Sequence, residues 1–286
     1  MEQLSMKNNK VIFLDVDGTL IDYEKHLPAS AVTAINTARK NGNRIYLCTG
    51  CSKFELEKMN LPETDGVIGG NGAYIEENGT FLMHKILTAE ETRSIIDWCY
   101  DRDLAFYIES NTGVYCNEKM AETWHDTVLK YAMGKQGDKE SAEAYCKEFR
   151  ELLTFSHREN LYKEEANKID FIMHSYQDHL DSLRDFPSLE ASTWGGKDEQ
   201  ALFSDLGPAG ITKKHAVDVL LKHLCTDRRD AIAFGDAKID IPMFQYCGYG
   251  VAMGNGGPEC RDAADYVTAE VNEDGLLKAF KHLELI

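Results

Sequence analysis

Four apolar residues, Val11-Ile12-Phe13-Leu14, run directly into Asp15-Val16-Asp17-Gly18, and this junction constrains the fold more than any other stretch of the chain. An unbroken apolar run of that length suits a strand buried on both faces, as in a parallel sheet covered by its crossover helices. The acids come at its C-terminal end, where open α/β sheets bind ligands. Residues two apart on a strand share a face, so Asp15 and Asp17 can address one site. Gly18 lets the backbone turn sharply straight after them.

The same grammar continues. Val32, Ile35 and Ala38 recur at helical spacing, and Gly42 stands where that helix would stop. Residues 45–48 predict a second strand and Gly66–Gly69 a third, an alternation that implies right-handed parallel crossovers. A hairpin is expected from 73–77 and 80–84, turning at Asn78-Gly79. From Thr88 the character changes. Thr88-Ala89-Glu90-Glu91 is a capping box for a helix through Ile95, Ile96 and Cys99. Strand-like segments at 104–108 and 114–116 precede a polar helical stretch from about 118 to 150. A strand at 169–173, a helix near 177–184 and a strand near 189–193 follow.

At Thr212, a plausible helix cap before Ala216, Val217, Leu220, Leu221 and Leu224, the first pattern resumes. Strands at 231–234, 251–253 and 266–267 and a closing helix at 276–283 complete it. The expected fold is α/β: a Rossmann-like parallel-sheet core from residues 1–85 and 191–286, with an α+β domain inserted at 86–190.

Composition narrows the partners. With 31 Lys+Arg against 48 Asp+Glu the formal charge is −17, a field that repels nucleic acid and anionic membrane. No apolar run approaches the roughly 18–20 residues of a membrane span, and the opening MEQLSMKNNK lacks the apolar segment of a signal peptide. Eight scattered cysteines point to free thiols in a reducing cytoplasm. Cys48-Thr49-Gly50-Cys51 spells C-x-x-C, but no second pair completes a zinc site.

Four features carry chemistry. Asp15 and Asp17 are not a calcium loop: counted from Asp15, position six is Leu20 and position twelve His26, where glycine and glutamate are needed. Thr49-Gly50 follows a strand and offers a hydroxyl and exposed amides to an anion, a use that argues against a redox dithiol. Lys213 and Lys214 stand at a helix start suited to phosphate, with either able to face inward. Asp236 follows another apolar strand and can join Asp15 and Asp17 in a hard-oxygen site that suits Mg²⁺. Asp240, one turn on, can orient a ligand from behind.

In this order the motifs resemble those of the haloacid dehalogenase-like (HAD) hydrolase superfamily, specifically its Cof-type phosphatases of subfamily IIB. The likeness runs through V-I-F-L-D-V-D-G-T-L, T-G, Asn71-Gly72-Ala73, G-I-T-K, G-D-x-x-x-D-I-x-M, V-A-M-G-N, A-D-Y-V-T and N-E-D-G. It implies that the inserted domain is a substrate-selecting cap. It implies Asp15 as the nucleophile that forms an aspartyl-phosphate and Asp17 as the acid and base. Asp15, Asp236 and the Asp17 carbonyl would hold Mg²⁺; Val16, Thr49, Gly50 and Lys213 would bind the phosphoryl group.

Three positions depart from the family's pattern: Cys51 stands for its usual Arg, Ile239 for Asn and Lys214 for Gly. An amide exchanged for an apolar group beside phosphate weakens binding of the transition state, with Lys238 a candidate to compensate. The expected activity is Mg²⁺-dependent hydrolysis of a small phosphorylated metabolite, a sugar phosphate. A phosphomutase and a phospho-ligand sensor without turnover are the alternatives. Trp124, His125, Tyr131 and Trp194 in the cap are open between packing and substrate contact. With Asp15, Asp17, Asp236 and Asp240 set against Lys213, the expected metal is indispensable.

Overall fold

The computed structural model describes residues 9–136, 138–162, 164–194 and 201–286. The expected core range begins at Met1 and includes 195–200, and the expected helical stretch includes Gly137; residues 1–8, 137 and 195–200 lie outside the described residues. The chain divides into two compact units. The first comprises Met1–Gly50, Asn60–Met83 and Thr212–Ile286; the second comprises Cys51–Met59 and His84–Ile211.

Strands β1 (Val11–Leu14), β2 (Arg44–Cys48), β3 (Gly66–Gly69), β4 (Tyr74–Glu77) and β5 (Thr80–His84) come first. Then follow β6 (Phe106–Glu109), β7 (Val114–Cys116), β8 (Leu153–Phe155), β9 (Lys168–Ile172), β10 (Glu190–Thr193) and β11 (Phe203–Gly207). The last are β12 (Ala231–Gly235), β13 (Tyr249–Ala252) and β14 (Tyr266–Val267).

The first sheet has the order β14-β13-β12-β1-β2-β3-β4-β5 and is parallel from β14 to β3. Its central strand β1 is buried throughout, as its unbroken apolar run requires. Ala31, Ala34, Ile35 and Ala38 form the buried face of the helix Ala29–Lys40, which the left-handed Gly42 helps to end. Asn78 and Gly79 both take positive φ, the geometry of a tight hairpin turn. Between β1 and β12 the chain order reverses direction, which opens a crevice at their C-terminal ends. On one sheet face Phe13 and Tyr46 pack with Val217, Leu220, Leu221 and Phe244.

The second unit is α+β, with strand order β10-β11-β9-β6-β7-β8. Phe106, Ile108, Ile169 and Phe171 pack with Ile95, Ile96 and Cys99 of the helix Ala89–Asp101, whose Thr88–Glu91 capping box is formed. The single polar helical stretch expected from 118 to 150 is instead two helices, Met120–Gln136 and Lys139–Leu152. Asp138 caps the second through the Ser141 amide, 3.0 Å away. Strand β11 pairs with both β9 and β10, so this sheet extends to Gly207, beyond the boundary at 190 expected from sequence. Among the described residues no helix is long and apolar enough to cross a membrane.

Candidate active site

Asp15 leaves the end of β1 with its amide donating to the Phe234 carbonyl of β12, 3.1 Å away. This bond ties the first acid to the strand that delivers Asp236. Thr212 caps the helix Lys213–His223 through the His215 amide, 3.1 Å, and Lys213 is that helix's first residue. The Lys213 ammonium donates to Asp15 Oδ1 at 2.7 Å and to Asp240 Oδ1 at 2.6 Å, with the lysine only 3% exposed. Lys214 is exposed, its ammonium 5.9 Å from the Tyr246 ring centre. The inward lysine is therefore Lys213. Helical periodicity carries this signal, since residues 213, 216, 217 and 220 share one face.

Burial pushes the Asp15 carboxyl well above the usual carboxylate range; Lys213 pulls it down, and Asp240 and Asp236 push it up again. Burial alone would lower Lys213, but Asp15 and Asp240 outweigh it and hold the ammonium well above the ordinary lysine value.

The loop after β12 is locked by Asp240. Its Oδ2 accepts from the amides of Asp236 (3.2 Å) and Ala237 (3.1 Å) while Oδ1 accepts from Lys213. Asp17 lies beside Lys25, whose ammonium donates to Asp17 Oδ1. The Val16 side chain is fully buried, and its carbonyl accepts from Leu20 (2.9 Å) and Ile21 (3.0 Å). Thr49 is buried; its amide donates to the Ile68 carbonyl at 2.9 Å and its carbonyl accepts from Asn71 at 3.0 Å. Gly50 follows, and a Cβ there would lie 3.0 Å from Asn71 Oδ1. Cys48 is buried, which pushes its thiol well up, while Cys51 is half-buried and clusters with the second unit.

Oxygens of Asp15, Asp236 and Asp240 all lie within 4.8 Å of one another, and all three residues are buried. Three carboxylates against one ammonium leave a net charge of −2 when ionised, on hard oxygen donors. That set fits a divalent cation of the Mg²⁺ kind. Asp240 therefore joins this carboxylate group, while the Asp17 side chain meets Lys25. Of the departures, Ile239 is 39% exposed, and the Lys238 ammonium, the candidate to compensate, is 3.8 Å from Glu259.

Three residues with no role expected from sequence contribute to this region. Tyr23 donates its hydroxyl to Asp236 Oδ2, and Lys25 meets Asp17. Asn255 Nδ2 donates to the Gly18 carbonyl at 2.8 Å while its Oδ1 accepts from the Val271 amide at 3.0 Å. In the second unit Trp124, Tyr131 and Trp194 pack on the core that contains Phe149 and Phe203, and exposed His125 lies 3.2 Å from Glu143. A hollow of about 440 Å³ lined by Arg44, Tyr46, Asp65, Glu77 and His223 opens beside the first residue of β2 and holds none of the expected site residues.

The sequence profile of the haloacid dehalogenase-like hydrolases matches residues 12–280. The chain is 26% identical to the HAD subclass IIB sugar phosphatase BT4131, with a TM-score of 0.76 and coverage of 97% of this chain and 100% of that one. BT1666 from Bacteroides thetaiotaomicron, a phosphatase of the same superfamily, gives 26% identity and a TM-score of 0.81, covering 100% and 99%. The 5-amino-6-(5-phospho-D-ribitylamino)uracil phosphatase YwtE of Bacillus subtilis (strain 168) is 25% identical over 93% of this chain and 95% of its own.

Proposed function

The chain belongs to the haloacid dehalogenase-like hydrolases, as a Cof-type phosphatase of subclass IIB, and on that premise we propose that it hydrolyses a small sugar phosphate with Mg²⁺ through an aspartyl-phosphate on Asp15. The observation that carries this reading is the buried Lys213 spanning Asp15 and Asp240 beside Asp236, where β1 and β12 end. The substrate class rests on the relatives: one is named for sugar phosphates, another for a phosphorylated ribityl compound.

Each side chain has a part. An Asp15 oxygen attacks phosphorus as the bond to the leaving oxygen breaks, and Asp17 gives that oxygen a proton. Asp17 then takes a proton from water, whose oxygen attacks phosphorus and frees the Asp15 carboxylate. Lys213, Thr49, Gly50 and the Val16 backbone supply fixed donors around the transferring group, the main device in phosphoryl transfer. Asp240 holds the ammonium in place. Asp15 and Asp236, with the Asp17 carbonyl, would hold Mg²⁺. When bound, it would neutralise the acid cluster, favour ionised Asp15 and polarise the phosphoryl oxygens.

The test is phosphate release from a panel of sugar phosphates, nucleotides and pyridoxal phosphate, with Mg²⁺ or with EDTA. Wild type should release phosphate from at least one sugar phosphate only with Mg²⁺, and Asp15→Asn should be slower by roughly 10³-fold or more. A wild type as inactive as Asp15→Asn on every compound contradicts the reading. Transfer to a second hydroxyl without free phosphate would replace hydrolysis by mutase chemistry.

A further inference from the structure

We infer that Tyr23 is a positioning residue for Asp236, and that its hydroxyl sets how tightly the acid cluster takes up a divalent cation. The inference rests on the metal dependence proposed above and adds a residue to it. Tyr23 lies eight residues past Asp15, in the loop that leaves the first acid pair, yet its phenol reaches across to Asp236 Oδ2. That contact joins chain segments 213 residues apart.

The surroundings are built to admit this contact. Gly18 has φ +82°, a conformation L side chains rarely adopt. A Cβ at Gly18 would collide with Asp236 Oδ2 and would stand 2.8 Å from the Tyr23 hydroxyl. The glycine thus does more than turn the chain, since it leaves the space in which phenol and carboxylate meet. Asn255 Nδ2 donates to the Gly18 carbonyl, so the loop is tied to the segment after β13. Lys25 has φ +62° and sends its ammonium to Asp17. One loop therefore brings a neutral donor to the expected metal carboxylate and a cation to the expected acid–base carboxylate.

The choice of donor matters. A phenol ordinarily stays protonated to about pH 10, so it donates without adding charge. An ammonium beside Asp236 would compete with a divalent cation for the same negative charge. A carboxylate held by one oxygen cannot rotate freely, so its other oxygen keeps one orientation. Partners of this kind behind metal-binding groups commonly change metal affinity by about 10–100-fold when removed.

Tyr23→Phe removes the hydroxyl and little else from a half-buried side chain. Mn²⁺ and Mg²⁺ uptake by substrate-free protein, followed by titration calorimetry, is expected to weaken by about tenfold or more. Melting temperature in EDTA reads folding separately and should match wild type. Phosphate release by the variant should need correspondingly more Mg²⁺ and return toward the wild-type kcat at saturation. A purely structural tyrosine would instead lower the EDTA melting temperature and leave metal affinity alone. Equal or tighter metal uptake by Tyr23→Phe overturns the inference while the metal reading stands. If wild type itself takes up neither ion, both fall.

Discussion

Lys213 and Lys168 are both buried and both held by carboxylates, one in each unit. Lys213 touches Asp15 and Asp240 at 2.7 and 2.6 Å. Lys168 touches Glu109 at 3.1 Å and Asp170 at 3.0 Å, with Asp205 at 3.9 Å. The first set comes from loops after parallel strands and from a helix start. The second lies within strands of a sheet, where register alone sets Glu109 opposite Lys168 and Asp170 opposite Asp205. Trp194 Nε1 donates to Asp170 at 3.1 Å and Ser192 Oγ to Asp205 at 2.7 Å, so neighbouring residues add donors to the second cluster. Charge at strand ends can be met by a ligand, whereas charge inside a sheet is met by neighbouring strands. The first arrangement suits chemistry and the second suits structure.

Removing each lysine breaks the comparison most forcefully. Lys213→Met and Lys168→Met each leave buried carboxylates without their cation and should each cost about 3–5 kcal/mol of stability, read from urea unfolding. The clusters should then part ways. Mg²⁺ should narrow the stability gap between Lys213→Met and wild type and leave the gap for Lys168→Met unchanged. Phosphate release should fall about 10²–10³-fold only when Lys213 is lost. Equal rescue of both variants by Mg²⁺ would erase the distinction.

A smaller effect separates them by pH. Burial, offset in part by Lys168 and reinforced by Asp205, pushes Asp170 up to about 7. Between the ordinary carboxyl value near 4 and that raised value, the folded chain keeps a proton that the unfolded chain has lost. This group's contribution therefore declines as pH rises through the window. Asp170→Asn should flatten that decline in urea midpoints measured between about pH 4 and 7.5. An unchanged slope would show that Asp170 does not carry it.

The smallest effect is expected at exposed Lys214: Lys214→Ala should alter stability by less than about 0.5 kcal/mol and leave phosphate release unchanged. A large loss there would reopen the choice between the adjacent lysines.

The strand-end acids were legible because Asp15, Asp17 and Asp236 directly follow apolar runs, so sequence adjacency becomes spatial placement. Lys213 was half legible: its position at a helix start was clear, but choosing it over Lys214 required the helix phase. Tyr23 was silent and Asn255 stood only as the last residue of V-A-M-G-N with no role, since their contacts join segments hundreds of residues apart and no local period encodes them. The Lys168 cluster was hidden for another reason. Polar residues at every second strand position ordinarily mark a solvated face, and only cross-strand pairing reveals that Glu109, Asp170 and Asp205 gather around Lys168 inside the unit. The late boundary of that unit has the same origin, because β11 belongs to it by pairing with β9 and β10.

The most direct measurement is acid quenching of wild type and Asp15→Asn during turnover of a sugar phosphate, followed by peptide mass spectrometry. Wild type should carry one phosphoryl group on the peptide that contains Asp15, and Asp15→Asn should carry none. Phosphate release at the normal rate by Asp15→Asn, or a phosphoryl group on a different peptide, would contradict the assignment of chemistry to the Lys213 cluster.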